Sequence, residues 1–302
     1  MAAVVLVHGI WNLISGLAPQ EAAAAKSSEY RETLRQGLMA AQLTHVPVPD
    51  TVMAYYAHLL TNAPLEEQAG GHTDRLEDLS HEQLLEAWEW LLLAGVPEPT
   101  EAQAGWLAPV RLAVGWLAHE HPGTNGLTAR ARRSLMDVVE RVVVAMIRDT
   151  DSYVSRPERR RAAQAVVAAT IKENQPQVVV AHSLGSVVAW EALHAYPELE
   201  VELLVTVGSP LGLPGLARKL EPEPIDGRGR RPAGVRQWVN IADAGDLVAL
   251  PPELGGMFPV DTHAVTDTGI LGFHSLKGYL ANGLTAAAIA PYLSTDYRHP
   301  ST

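Results

Sequence analysis

The stretch "VVVAHSLGSVVAWEAL", residues 178–193, joins three patterns. A β-branched run, Val178–Val180, comes first. A short set follows: Ala181, His182, Ser183, Leu184 and Gly185. From Ser186 the apolar residues recur at helical spacing. A continuous Val run suits a strand buried on both faces, as in a parallel sheet. A serine at the point where strand becomes helix has two readings: a residue of a tight turn, or a hydroxyl the turn exists to present. Strand and helix approach closely at such an elbow, so the residues two before and two after its apex must be small. Ala181 and Gly185 meet that condition. The helix N-terminus behind Ser183 adds free N–H groups and a positive dipole end, both favourable to developing negative charge.

Outward from this stretch the chain alternates. Strand-like runs occupy Ala2–Val7, Thr51–Tyr56, Gln177–Val180, Val201–Val207, Val235–Ile241 and, more weakly, Met257–Val265. Helical patterns cover Glu21–Leu43, Ser186–Tyr196 and Leu276–Ala290. Such alternation predicts an α/β fold with a mostly parallel central sheet flanked by helices. The alternation lapses over about 61–154, where helical stretches at His81–Ala94, Gly105–His119 and Leu127–Asp149 are punctuated by prolines and HPGTNG, 121–126. We read residues 61–154 as a large helical insertion between two segments of core, 1–60 and 155–302. Ser155 and Glu158 have capping-box spacing, with Pro157 near the first position of the next helix. Four of the seven tryptophans (Trp88, Trp90, Trp106 and Trp116) fall in the insertion. They serve either as the core of a small helical unit or as the wall of a lid over an apolar substrate. Trp11, Trp88 and Trp106 are the candidates for contact with such a substrate. The Pro-, Gly- and Arg-rich stretch 221–235 and RPERRR, 156–161, read as solvated surface.

Composition narrows the function. The 302 residues carry a net charge of −11, which argues against a nucleic-acid binder, because phosphate neutralisation needs a basic face. The absence of Cys removes disulfides, thiolate metal sites and cysteine nucleophiles together. No pair of histidines has HExxH spacing, so no metal is expected. The N-terminus lacks the pattern of a signal peptide, and no apolar run reaches the roughly 18 residues of a membrane span. The expected setting is cytoplasmic. Oligomeric state is not set by the sequence.

With its strand, elbow and helix, Ala181-His182-Ser183-Leu184-Gly185 resembles the nucleophile motif of the α/β-hydrolase superfamily, in its lipase and esterase branch. That pattern has Gly at both flanks; Ala181 is a small-residue variant, and His182 is not the base there. Three further stretches fit the resemblance. LVHGIW, 6–11, resembles the family's His-Gly after an early strand, which maps onto His8 and Gly9. The resemblance then implies that the backbone N–H groups of Ile10 and Leu184 form an oxyanion hole, in which one donor is worth about 3 kcal/mol of barrier. Gly9 could equally just end a strand. VNIADAGDLVALPP, 239–252, offers two acids; the resemblance to an Asp-x-Val signature favours Asp246, with Asp243 as the alternative and local turn bonding as its plainer role. LGFHSLKGYL, 271–280, places His274 before the final helix, where the family's base enters; His263 is the alternative. The chain order Ser183, Asp246, His274 is that of the superfamily.

The resemblance implies a serine hydrolase that forms an acyl-enzyme, without cofactor, on a small-molecule acyl substrate with apolar character. A carboxylic ester is the first expectation. An amidase, peptidase or thioesterase would use the same residues, and a non-catalytic binding protein of this fold is the reading from another class. The resemblance does not extend to 61–154. Lids in the family more often follow the strand after the nucleophile helix, here the 211–234 region.

Overall fold

The computed structural model describes residues 4–60, 75–97, 107, 110–111, 113–114, 128–268 and 274–293. Six strands form one sheet: β1 (Val4–Val7), β2 (Thr51–Ala54), β3 (Val178–His182), β4 (Val201–Val207), β5 (Val235–Asp243) and β6 (Thr262–Thr266). Their order is β2-β1-β3-β4-β5-β6, and every pair is parallel. The helices are α1 (Pro19–Ala40), α2 (Ala57–Leu60), α3 (His81–Leu93), α4 (Ala129–Val154), α5 (Pro157–Asn174), α6 (Leu184–Ala195), α7 (Pro214–Ala217), α8 (Leu276–Ala281) and α9 (Leu284–Ile289).

Alternate side chains along each strand point to opposite faces, and the sheet is covered on both. Val5, Val7, Val179, Ala181 and Leu204 join one apolar cluster, with residues of α3, α4, α5 and α6. Val4, Leu6, Val178, Val180, Leu203 and Val205 join the other, with residues of α1, α8 and α9. This two-sided burial explains why the central strands read as unbroken valine runs. The order reverses at β1: β2 lies on one side of it and β3 on the other. A crevice at such a reversal, at the carboxyl ends of the strands, is where open parallel sheets bind ligands.

The helices between β2 and β3 share a core with the sheet. Ala87, Trp88, Trp90 and Leu91 of α3 and Val142–Ile147 of α4 belong to the same cluster as Val5 and Val179. Ser80 starts α3: its Oγ accepts from the Gln83 N–H at 3.2 Å, and the Gln83 side chain accepts from the Ser80 N–H at 3.0 Å. Trp106, Trp116 and the HPGTNG stretch lie outside the described residues.

Several boundaries differ from expectation, each for a local reason. Ser155 does not cap α5; its hydroxyl donates back to Asp151 at 2.7 Å, and Arg156 takes the N-cap position ahead of Pro157. The last helical pattern is split into α8 and α9 at Gly283, whose φ is +93°. β6 starts at Thr262 rather than 257, because 254–258 closes a tight turn through Leu254 that buries Phe258 against Trp190 and Trp238. No described helix is long and apolar enough to cross a membrane.

Candidate functional site

Ser183 follows the last residue of β3 and precedes the first of α6, with φ +54° and ψ −135°. A non-glycine residue held in that region stores strain of about 1–3 kcal/mol. The turn is over-determined. The Ser183 N–H donates to the Val207 carbonyl at 3.1 Å, and the Ser183 carbonyl accepts from both the N–H and the hydroxyl of Ser186, at 2.9 and 2.6 Å. Gly185 lies against β1: a methyl there would meet the His8 carbonyl at 2.2 Å. Here the requirement for a small residue after the apex has a specific cause, the contact of α6 with the end of β1.

His274 precedes α8, and its Nε2 lies 2.8 Å from Ser183 Oγ. Its Nδ1 lies 2.9 Å from each carboxylate oxygen of Asp246. With Nδ1–H directed at the carboxylate, Nε2 is the acceptor facing the serine hydroxyl. Asp246 is buried and also accepts from the Val248 N–H at 2.9 Å and from the Tyr279 hydroxyl at 2.7 Å. The Tyr279 oxygen in turn accepts from the Asp243 N–H at 2.9 Å. Burial, and then the Asp246 charge, push the Tyr279 phenol well above its ordinary range, so it remains a donor.

The two acids have different surroundings. Asp243 ends β5, and its carboxylate accepts from the Gly245 N–H at 2.6 Å and from the Thr268 N–H. It shapes the turn; Asp246 faces His274. His263 sits on β6 beside Asn240, 3.4 Å from its amide nitrogen. His182 is buried next to the site, its ring centroid 4.9 Å from that of His274, and burial followed by the neighbouring His274 keeps it neutral.

The end of β1 completes the surroundings of Ser183. A methyl on Gly9 would sit 2.4 Å from Ser183 Cβ and 2.9 Å from its Oγ, so only glycine fits this approach. Ile10 follows at once, and Leu184 is the first residue of α6, whose N–H has no intrahelical acceptor. His8 fixes this segment. The Tyr56 N–H donates to His8 Nε2 at 3.0 Å, so the ring proton is on Nδ1, which donates to the Gly9 carbonyl at 2.9 Å. The Tyr56 hydroxyl donates to the His8 carbonyl at 2.6 Å. Burial holds the His8 pKa at about 4. Asn12 adds two bonds, from its side-chain amide to the carbonyls of Gly9 at 3.1 Å and Ile10 at 2.8 Å.

Among the tryptophans, Trp11 is half exposed and Trp88 is buried in the core; Trp106 lies outside the described residues. Trp90, not singled out for the site by sequence, donates its indole N–H to the carbonyl of Leu247, next to Asp246, at 2.6 Å. It also walls an apolar groove between α3, α4 and α7, lined by Leu93, Met146, Ile147, Leu213 and Leu216. Tyr279, Tyr56 and Asn12 were likewise missed. For Tyr279 and Tyr56 the signal is a partner distant in sequence, which no local pattern carries; Asn12 bonds residues two and three positions before it. Among the described residues no group of three His, Asp or Glu is placed to hold a metal. No protein-family model, curated protein or solved structure matches the chain.

Proposed function

We propose that the chain is a serine hydrolase of the α/β-hydrolase type that cleaves carboxylic esters through an acyl-enzyme. One observation carries the reading: an unbroken line of short hydrogen bonds from Ser183 Oγ through His274 to Asp246, at the carboxyl edge of a parallel sheet beside its order reversal. Ser183 Oγ attacks the ester carbonyl carbon as His274 Nε2 takes its proton. Asp246 holds the ring in the correct tautomer and stabilises the imidazolium. The oxyanion takes hydrogen bonds from the N–H groups of Ile10 and Leu184. His274 then returns the proton to the departing alkoxide. Water, deprotonated by the same His274, cleaves the acyl-serine bond and releases the acid. In this reading residues 1–60 and 155–302 form the catalytic core and 61–154 a cap, whose α3 is tied to the loop that carries Asp246 by the Trp90 bond.

Labelling with a fluorophosphonate tests the mechanism. The wild type is expected to form a covalent adduct that Ser183→Ala lacks; a folded wild type that stays unlabelled overturns the proposal. Matched p-nitrophenyl esters and p-nitroanilides of the same acyl group separate the reactions. Faster ester hydrolysis is expected, and faster anilide hydrolysis makes the chain an amidase.

A further inference from the structure

The segment after β1 holds a tryptophan in a conformation that a bulky side chain rarely adopts. Trp11 has φ +58°, in the left-handed region. The residue is 46% exposed, the second most exposed large apolar residue among 4–50 after Met39. Burial therefore does not account for the strain, and the surroundings actively maintain it. The Asn12 side chain ties the carbonyls of Gly9 and Ile10, on the two residues before Trp11. The Tyr55 hydroxyl accepts from the Ile14 N–H at 2.9 Å, just after it. A Gly or Asn at position 11 would take this backbone at little cost. The chain instead carries the largest apolar side chain, in water.

Position supplies a reason. Gly9 touches Ser183, and consecutive Cα atoms lie about 3.8 Å apart, so the Trp11 Cα is within about 8 Å of the Gly9 Cα. Trp11 therefore stands at the margin of the site, one residue beyond Ile10. Resting on the hydrolase reading, we infer that Trp11 determines specificity: its flat, wet face receives a bulky apolar group, aryl or branched alkyl, attached next to the scissile ester. Desolvation of two apolar faces then drives binding, and small polar esters gain nothing from it. The strain is retained because left-handed backbone at this point turns the side chain out of the core.

Two organophosphorus probes read this at Ser183 itself. In each reaction the Ser183 Oγ–P bond forms, the P–F bond breaks, the serine proton passes to His274 and fluoride leaves. Diethyl fluorophosphate is the small probe, and a fluorophosphonate bearing a naphthylmethyl group is the bulky one. Trp11→Gly and Trp11→Ala are expected to slow inactivation by the bulky probe about tenfold and to leave the small probe within about twofold. Thermal unfolding gives a second reading: Trp11→Gly melts no lower than wild type, and Trp11→Ala, which keeps a side chain at positive φ, melts below Trp11→Gly. Equal slowing of both probes, or none, overturns the inference while the hydrolase reading stands. A wild type that reacts with neither probe overturns both.

Discussion

Tyr279 shows how much of a site depends on one proton. Its hydroxyl receives the Asp243 N–H and gives its own hydrogen to Asp246, so one phenol sets the position of both ends of the acid loop. Tyr279→Phe keeps the ring and removes both bonds. Hydrogen bonds to charged groups are worth about 1.5–3 kcal/mol, so under the proposed hydrolase function kcat for ester hydrolysis is expected to fall at least about tenfold with little change in KM. An unchanged kcat would make Tyr279 a packing residue only. Ser183 and His274 were legible in the sequence because each stands next to the start of a helix, and Asp246 was favoured over Asp243 only by the resemblance to an Asp-x-Val signature. Asp243 and Asp246 could not be separated on the same grounds: both are acids in one loop, and which faces His274 depends on the Asp243 turn closing on Gly245 and Thr268. His8 was legible as half of a His-Gly pair. Its tautomer was not, since that is set by Tyr56, a residue of a different element.

At the scale of elements, the strands were easiest to read, because burial on both faces writes itself as runs of Val and Leu. Helix ends were harder. Ser155 has the residue type and spacing of a cap, yet Asp151 on the preceding turn competes for its hydroxyl and wins. RPERRR, read as a solvent face, hides one buried member. Arg160 forms paired bonds to the fully buried Glu191, and also reaches Glu221 at 3.0 Å and the Lys219 carbonyl at 2.7 Å. The Tyr153 hydroxyl donates to Glu191 at 2.6 Å, and the Gln164 side-chain amide donates to the same carboxylate at 3.0 Å. This network fastens α4, α5, α6 and the segment after α7 to one another. Every lone pair of the buried carboxylate that the network serves has a donor, and loss of one partner strands a charge. Arg160→Met is therefore expected to cost about 3–5 kcal/mol in urea unfolding, and Arg160→Met with Glu191→Leu to regain a large part of it. A single variant as stable as wild type would show the pair to be dispensable.

For the whole molecule, the buried neutral histidines set the response to acid. Burial holds the folded His8 at about 4, against 6.5 ordinarily, and lowers His182 well below its ordinary value too. Between those values the unfolded chain binds protons that the folded chain refuses. Stability is therefore fully present above about pH 6.5 and falls as pH drops toward 4, by about 3 kcal/mol from His8 alone. Urea titrations from about pH 7 to about pH 4 are expected to show this slope, and His8→Gln to flatten it; equal slopes in both proteins would remove His8 from the account.

The strand order has a consequence for how such a molecule is made. Val4 pairs with Thr51 on one side but with Val178 on the other, and the contact of Gly9 with Ser183 depends on the second pairing. His274 and Tyr279 come later still. A ribosome delivers the chain from its N-terminus, at about 5–20 residues per second. The glycine end of β1 therefore waits while residues 10–182 are made before its serine exists, and the serine waits again for its histidine. Whatever chemistry Ser183 performs is withheld from the nascent chain until His274 has emerged.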